Sequence, residues 1–272
     1  METSDLRSDS LSRSDTEPLP LAEKLQAGSK SAFAGPRDFL DFKAEVSLRR
    51  RYIRSVAGDR FLAVVAGTCQ TRIETFEEGT AFWRAQVGHE WSTDTDGRRI
   101  SGPHPEARMR PLQDRAYEGR VNPKGIPCLY LATSREVAMS EVRPWLGSVV
   151  SVARFALGRR VKLVDCSKYH GAEAPAEDLP DPDGIDERVW THIDYAFSRP
   201  VTRSDNTAEY AATQIIAEVF RDQGFDGVIY KSAFAEQGYN VALFDLDAAL
   251  QTESYLFQVQ KAAFEFRELN LD

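Results

Sequence analysis

The chain has 272 residues, 42% of them hydrophobic, and a formal net charge of -8. That is enough apolar material to bury one large core or two modest ones without staples. The acidic balance disfavours a dedicated nucleic-acid binder, which needs an excess of Lys and Arg on some face.

Residues 1–35 are rich in Ser, Asp, Glu and Pro and poor in large apolar residues. Such a segment cannot repay the entropy of ordering, so a disordered tail is expected. It carries no apolar h-region, and no later window reaches the apolar length of a membrane span. Cys69, Cys128 and Cys166 are odd in number, widely spaced and without a CxxC pair. They argue against a disulfide framework or zinc knuckle and fit a reducing compartment. A cytoplasmic protein without membrane contact is the expectation.

From Pro36 the pattern changes. "PRDFLDFKAEVSLRRRYI" and "DRFLAVVAGTCQTRIETF" read as amphipathic helices, which makes 36–78 a helical extension. Within it "RRRYIR" reads as the solvated face of a helix rather than a nucleic-acid patch. "TAFWRAQ" opens the remaining unit, 79–272, as a strand. The segment 87–119 is rich in Gly, Pro and Asp without clear periodicity, and is expected to be a long loop of the kind used as a lid or binding loop. Strands follow at "PCLYLAT", "SVVSVARFAL" and "VKLVD", with a helix from Ser134 to Leu146 between the first two. "HGAEAPAEDLPDPDG" is a loop, and helices are expected over Ile185–Phe197 and Thr207–Gln223. Strands "DGVIYKS" and "YNVALFD" come next, and the alternation of Tyr255, Phe257 and Val259, then Phe264 and Phe266, makes the end of the chain a strand. Strands and helices mix without a strict βαβ rhythm, which favours α+β over a doubly wound sheet.

There is no GxGxxG after a strand, no GxxxxGK[ST], no GxSxG and no HExxH. Dinucleotide-fold, P-loop, hydrolase-elbow and zincin chemistry therefore lose their usual signatures. His89, His104, His170 and His192 are scattered, and no metal site is expected.

One residue stands out. Thr133 followed by Glu136 forms a capping-box pattern, starting a helix at Thr133 or Ser134 and ending it near Gly147. At 100° per residue, Val137, Glu141, Trp145, Ala138 and Val142 then share one face, with Pro144 late enough to break the final turn. Glu141 lies inside the apolar arc. A carboxylate facing a core costs several kcal/mol unless it is paired, hydrogen-bonded or opened to a cleft. Two readings answer that cost: a structural salt bridge to an arginine, or a carboxylate held in a pocket to stabilise positive charge on a substrate. Arg120 is presented from the turn "GRVNPKG", where a guanidinium fork suits phosphate or carboxylate, although turn arginines more often face solvent. Tyr130 shares a strand face with Cys128, opposite Leu129 and Leu131; alone it reads as a core or rim aromatic. Ser232 follows the strand "DGVIYK", where a lone serine is usually a turn former.

Together "GRVNPKG", "CLYLATS", "AMSEVRPW" and "GFDGVIYKSAFAEQGYNVALF" resemble the RES domain family, named for Arg, Glu and Ser positions. The resemblance runs from Thr80 to about Asp245 and implies an ADP-ribosyltransferase-like mixed sheet core with flanking helices. The family arginine, tyrosine, glutamate and serine fall on Arg120, Tyr130, Glu141 and Ser232. Trp83 and Arg84 in "AFWRAQ" and Asn122 in the arginine turn are implied as substrate-binding residues. Characterised members consume NAD+ as a substrate, with no added cofactor, by breaking the nicotinamide–ribose bond. They are commonly toxins neutralised by an Xre-type antitoxin. The resemblance thus implies Glu141 facing the ribose, Arg120 on a phosphate, Tyr130 at the nicotinamide ribose end and Ser232 orienting the carboxylate or a ribose hydroxyl. It leaves open whether the acceptor is water (glycohydrolase), phosphate (phosphorylase) or a protein (ADP-ribosyltransferase), whether the shell is an inert interaction module, and whether the chain forms a homo-oligomer. The 87–119 segment and the helical extension exceed the compact toxin form of the family.

Overall fold

The computed structural model describes residues 31–113, 115–169, 184–199, 207–235, 237–263 and 268. The ladder is a mixed eight-stranded sheet. Its strands are β1 (Ile73–Phe76), β2 (Ala81–Val87), β5 (Leu129–Ala132), β6 (Val149–Leu157), β7 (Val161–Cys166), β8 (Gly227–Lys231), β9 (Tyr239–Leu243) and β10 (Ala249–Gln258), and β3 (Glu90–Thr93) and β4 (Arg99–Gly102) form a separate hairpin. The sheet runs β1-β7-β8-β9-β5-β2-β6-β10. Only β7 and β8 pair in parallel among the described strands. A parallel pair needs a crossover over one face, and the helices α5 (Ile185–Ser198) and α6 (Ala211–Asp222) lie between those strands in the chain. This is the mixed α+β architecture expected from the sequence.

The helical extension folds onto this body. Phe39, Phe42 and Val46 of α1 (Asp38–Leu48) and Phe61, Leu62, Val64 and Val65 of α2 (Val56–Thr68) share one core with Val189, Ile193 and Phe197 of α5 and Ile216 and Phe220 of α6. Phe33 belongs to that core as well, and the backbone N–H groups of Ala32 and Phe33 donate to Asp186 Oδ1 at 3.0 and 3.1 Å. The packed body therefore starts before Gly35, where a tail was expected; residues 1–30 lie outside the described ones.

Several expected boundaries move for physical reasons. The second expected helix stops at Thr68, and after a short 3-10 turn Ile73–Phe76 pair with β7. Arg49 to Arg54 are not on a helix, because α1 ends at Leu48 and they form the connection to α2. The segment 87–119 is not structureless: it holds the β3/β4 hairpin and the single turn α3 (Glu106–Met109). The hairpin closes at Asp96-Gly97, where Gly97 has φ 78° and Asp94 Oδ1 accepts from the Arg98 N–H at 2.7 Å. Its strands are almost wholly exposed, so no apolar alternation marked them. Met109 is 1% exposed, the His104 N–H donates to Ser151 Oγ at 2.9 Å, and Arg110 donates to the carbonyls of Leu246 and Ala249 at 2.8 and 3.0 Å. The segment is thus pinned through its middle, at 104–110. At the C-terminus the strand closes at Gln258; Phe264 and Phe266 lie outside the described residues, as do His170 and the loop after it.

A buried ion pair ties the first edge strand to α5. Arg72 Nη2 donates to both carboxylate oxygens of Asp194 at 2.7 and 2.6 Å, and Arg72 Nε donates to the Asp165 carbonyl at 2.8 Å. The Tyr169 N–H donates to Asp194 Oδ2 at 3.0 Å, and the guanidinium lies 4.3 Å from the Trp190 ring centroid. Burial pushes the Asp194 carboxyl up to about 6, with Arg72 pulling the other way. The three cysteines are buried and free, and no helix among the described residues is long and apolar enough to cross a membrane.

Candidate functional site

The helix carrying the glutamate, α4 (Arg135–Glu141), is capped by Ser134, whose Oγ accepts from the Val137 N–H at 3.2 Å. Thr133 instead fixes the helix start to β9, its Oγ1 accepting from the Tyr239 N–H at 3.0 Å. Val137 and Ala138 are buried as the arc required. The helix ends at Glu141 rather than near Gly147, and Arg143 follows with φ 46°. The chain could not carry a regular helical turn into Pro144, which has no N–H to give and crowds the turn behind it. Trp145, expected on the apolar arc, is 75% exposed as a result.

Ending at Glu141 places the carboxylate at the mouth of a cavity of about 360 Å³ lined by Trp83, Arg84 and Gln86 of β2, Tyr130 of β5, and Tyr230 and Asn240. Among the described residues no arginine neutralises it: Ser232 Oγ donates to Glu141 Oε1 at 2.7 Å and Asn240 Nδ2 donates to the same oxygen at 2.6 Å. Oε2 has no partner among the described residues and is left for whatever enters. Ser232 and Asn240 are 2% and 7% exposed, so both donors work in low dielectric and hold one rotamer. Ser232 is marked by the sequence; Asn240 is not. Its signal is an amide interrupting the apolar run "YNVALF" at a position where the pleat faces the helix end rather than water. Tyr230, inside "DGVIYK", is likewise a site residue that sequence reasoning misses.

Tyr130 alternates as expected, sharing the helix-side core with Cys128 while Leu129 and Leu131 enter the opposite one. Its phenol donates to Asn122 Oδ1 at 2.6 Å and accepts from the Val121 N–H at 3.0 Å. Burial first, and then the neighbouring Tyr230 and Cys128, hold it well above the ordinary phenol range, so it stays protonated. What it offers the cavity is its ring. Gly119 is obligatory here, since a Cβ would stand 2.5 Å from that phenol oxygen. Asn122, expected to bind substrate, spends its amide on the Tyr117 and Ile126 carbonyls at 3.0 and 2.7 Å and so knots the turn. From α6, Gln214 Nε2 donates to the Gly119 carbonyl at 2.9 Å and Thr213 Oγ1 to the Arg120 carbonyl at 2.7 Å, contacts no local pattern announced.

Arg120 is not among the residues lining the glutamate cavity. Its Nη1 donates to the carbonyls of Ala196 and Arg199 at 3.1 and 2.6 Å, where the last turn of α5 leaves acceptors unpaired, and its guanidinium lies within 6 Å of the Tyr210 and Tyr230 rings. The expected solvent-facing or phosphate-facing fork is, in this state, a helix cap. Arg84 does line the cavity. Its Nη1 donates to the Tyr130 carbonyl at 2.8 Å, Nε is buried without a partner, and burial pulls the guanidinium down to about 10. Among the described residues this buried cation meets no carboxylate. Trp83 lines the same cavity, with the Arg135 guanidinium 5.0 Å from its ring centroid. Among the described residues no group of three His, Cys, Asp or Glu side chains could hold a metal ion.

No curated protein matches the chain. Among solved structures it is similar to a chain of the crystal structure described as the M. tuberculosis MbcT-MbcA toxin-antitoxin complex, at 15% identity and a TM-score of 0.40 over 71% of this chain and 91% of that one. The family model described as RES domain matches residues 82–266, a span that holds Arg84, Arg120, Tyr130, Glu141, Ser232 and Asn240. The chain therefore belongs to the RES domain family.

Proposed function

We propose that the protein consumes NAD+ by breaking the bond between nicotinamide and ribose, as a glycohydrolase or a phosphorylase. The observation that carries this reading is the state of Glu141: a carboxylate at a helix end, held through one oxygen by two buried donors, with the other oxygen unclaimed at a cavity. Departure of nicotinamide leaves an oxocarbenium-like ribose, and a fixed carboxylate beside the anomeric carbon stabilises that charge. The nicotinamide leaves with the bonding electron pair, and water or inorganic phosphate completes the bond to carbon. Trp83 and the Tyr130 ring supply flat surface for the departing base, and Arg84 an anion contact. Family membership supports NAD+ as the substrate and a protein antitoxin as a partner, and both belong to the proposal.

Incubating the purified protein with NAD+ and following free nicotinamide, with and without phosphate, tests it. Release in both conditions indicates a hydrolase, and release only with phosphate a phosphorylase. Label passing from NAD+ to protein indicates a transferase, and no release indicates an inert shell. Replacing either donor to Glu141 frees its rotamer, so Ser232→Ala and Asn240→Ala should each lower kcat by roughly tenfold with little change in KM, the loss of one hydrogen bond to a charged group. Asn240→Asp, which sets a like charge beside Glu141, should cost more than Asn240→Ala; steady-state kinetics of the three variants check the order.

A further inference from the structure

A second cavity lies next to the glutamate cavity and shares lining residues with it. Arg84, Gln86 and Tyr130 also line this second cavity of about 400 Å³, together with Ala107 and Arg108 of α3 and residues 110–112 and 115–118 after it. The two hollows have opposite characters. The first holds the carboxylate; the second is lined by Arg84, Arg108, Arg110 and Arg115, with Glu118 the acid opposite them. Arg110 is committed to backbone carbonyls and Glu106. Arg108 is exposed and makes no ion pair among the described residues, and Arg84 Nε is buried without a partner at the junction of the two hollows. Among the lining residues Tyr117 is 89% and Leu112 53% exposed, so their apolar surfaces are open to a ligand.

Resting on the reading of Glu141 above, we propose that this second cavity takes the adenosine diphosphate half of the dinucleotide. Its phosphates lie against Arg84 and Arg108, and its purine lies against Tyr117 and Leu112. Guanidinium forks match phosphate oxygens, and an aromatic ring beside an aliphatic side chain makes a slot for a base. Each of the two adjoining hollows, about 400 and about 360 Å³, is of the size small-molecule sites occupy, and the second combines guanidinium groups with apolar side chains. Because residues of the 107–118 stretch line it, recognition of the distal nucleotide becomes a property of that stretch, and the enzyme distinguishes a dinucleotide from a mononucleotide.

Two measurements test this separately from turnover. Titration calorimetry with ADP on the full chain should show binding that weakens about tenfold or more in Arg108→Ala and again in Tyr117→Ala, one lost charge-assisted contact being of that order. In nicotinamide release, the ratio of kcat/KM for NAD+ to that for nicotinamide mononucleotide should fall about tenfold in either variant. Wild-type protein that binds ADP in this way but releases no nicotinamide keeps the cavity assignment and removes the proposed reaction. Turnover of NAD+ with ADP affinity and the substrate ratio unmoved by both substitutions overturns the cavity assignment and leaves the reaction standing. Thermal unfolding of both exposed-site variants should match wild type, which separates a lost contact from a lost fold.

Discussion

Glu141→Gln should abolish nicotinamide release, lowering kcat at least a hundredfold, about 3 kcal/mol of transition-state stabilisation, while thermal stability stays within a few degrees of wild type. The amide keeps the shape of the carboxylate and can still accept from Ser232 and Asn240 through its oxygen, so the packing around α4 has no reason to change. What it loses is the negative charge that faces the ribose as nicotinamide departs. The effect should fall on kcat and kcat/KM together, the mark of an interaction that matters only in the transition state. Nicotinamide release at wild-type rate from a folded Glu141→Gln protein would remove Glu141 from the reaction.

Arg72→Met should be the most destabilising of the single changes considered, by about 3–5 kcal/mol, the range for breaking a buried ion pair from one side. Asp194 is fully buried and, among the described residues, would keep only the Tyr169 N–H as a donor. For a domain of this size the loss corresponds to a fall in Tm of roughly 10 °C, measurable by calorimetry. A pH dependence follows with a definite sign. The folded Asp194 carboxyl titrates near 6, above its ordinary value of 3.8, so the folded state holds that proton more tightly than the unfolded chain. The contribution of this group is fully present below about pH 4 and is lost as pH rises through about 6. In Arg72→Met the opposing influence of the guanidinium is gone, so the window should extend to higher pH. Stability curves of the two proteins between pH 4 and 8 should converge toward the acid end.

The local part of the site was readable in the residues, and its long-range part was not. A charge at a fixed angular position in an apolar arc marked Glu141, and strand alternation marked which way Tyr130 faces; both depend on neighbours three or four residues away. The fate of Arg120 depends on where α5 ends, 76 residues along the chain, and nothing in "GRVNPKG" states that. Asn240 escaped because an amide in a strand gains meaning only when the end of α4 arrives opposite it, 99 residues away in sequence. Trp145 failed for a local reason that was partly visible, since Pro144 forbids the turn that would have buried it. The β3/β4 hairpin hid because its two exposed faces carry no apolar period, although Asp96-Gly97 announced the turn.

The four residues of β1 lie before the stretch that the family model matches, yet they cover the outer ladder of β7, and Arg72 stands just ahead of them. A chain cut back to the family boundary would lose its rim. The amide and carbonyl row of β7 would then be bare to any passing strand, inviting edge-to-edge association, while Asp194 sat unneutralised behind it. The packed sheet of this protein thus reaches beyond the family pattern that names it.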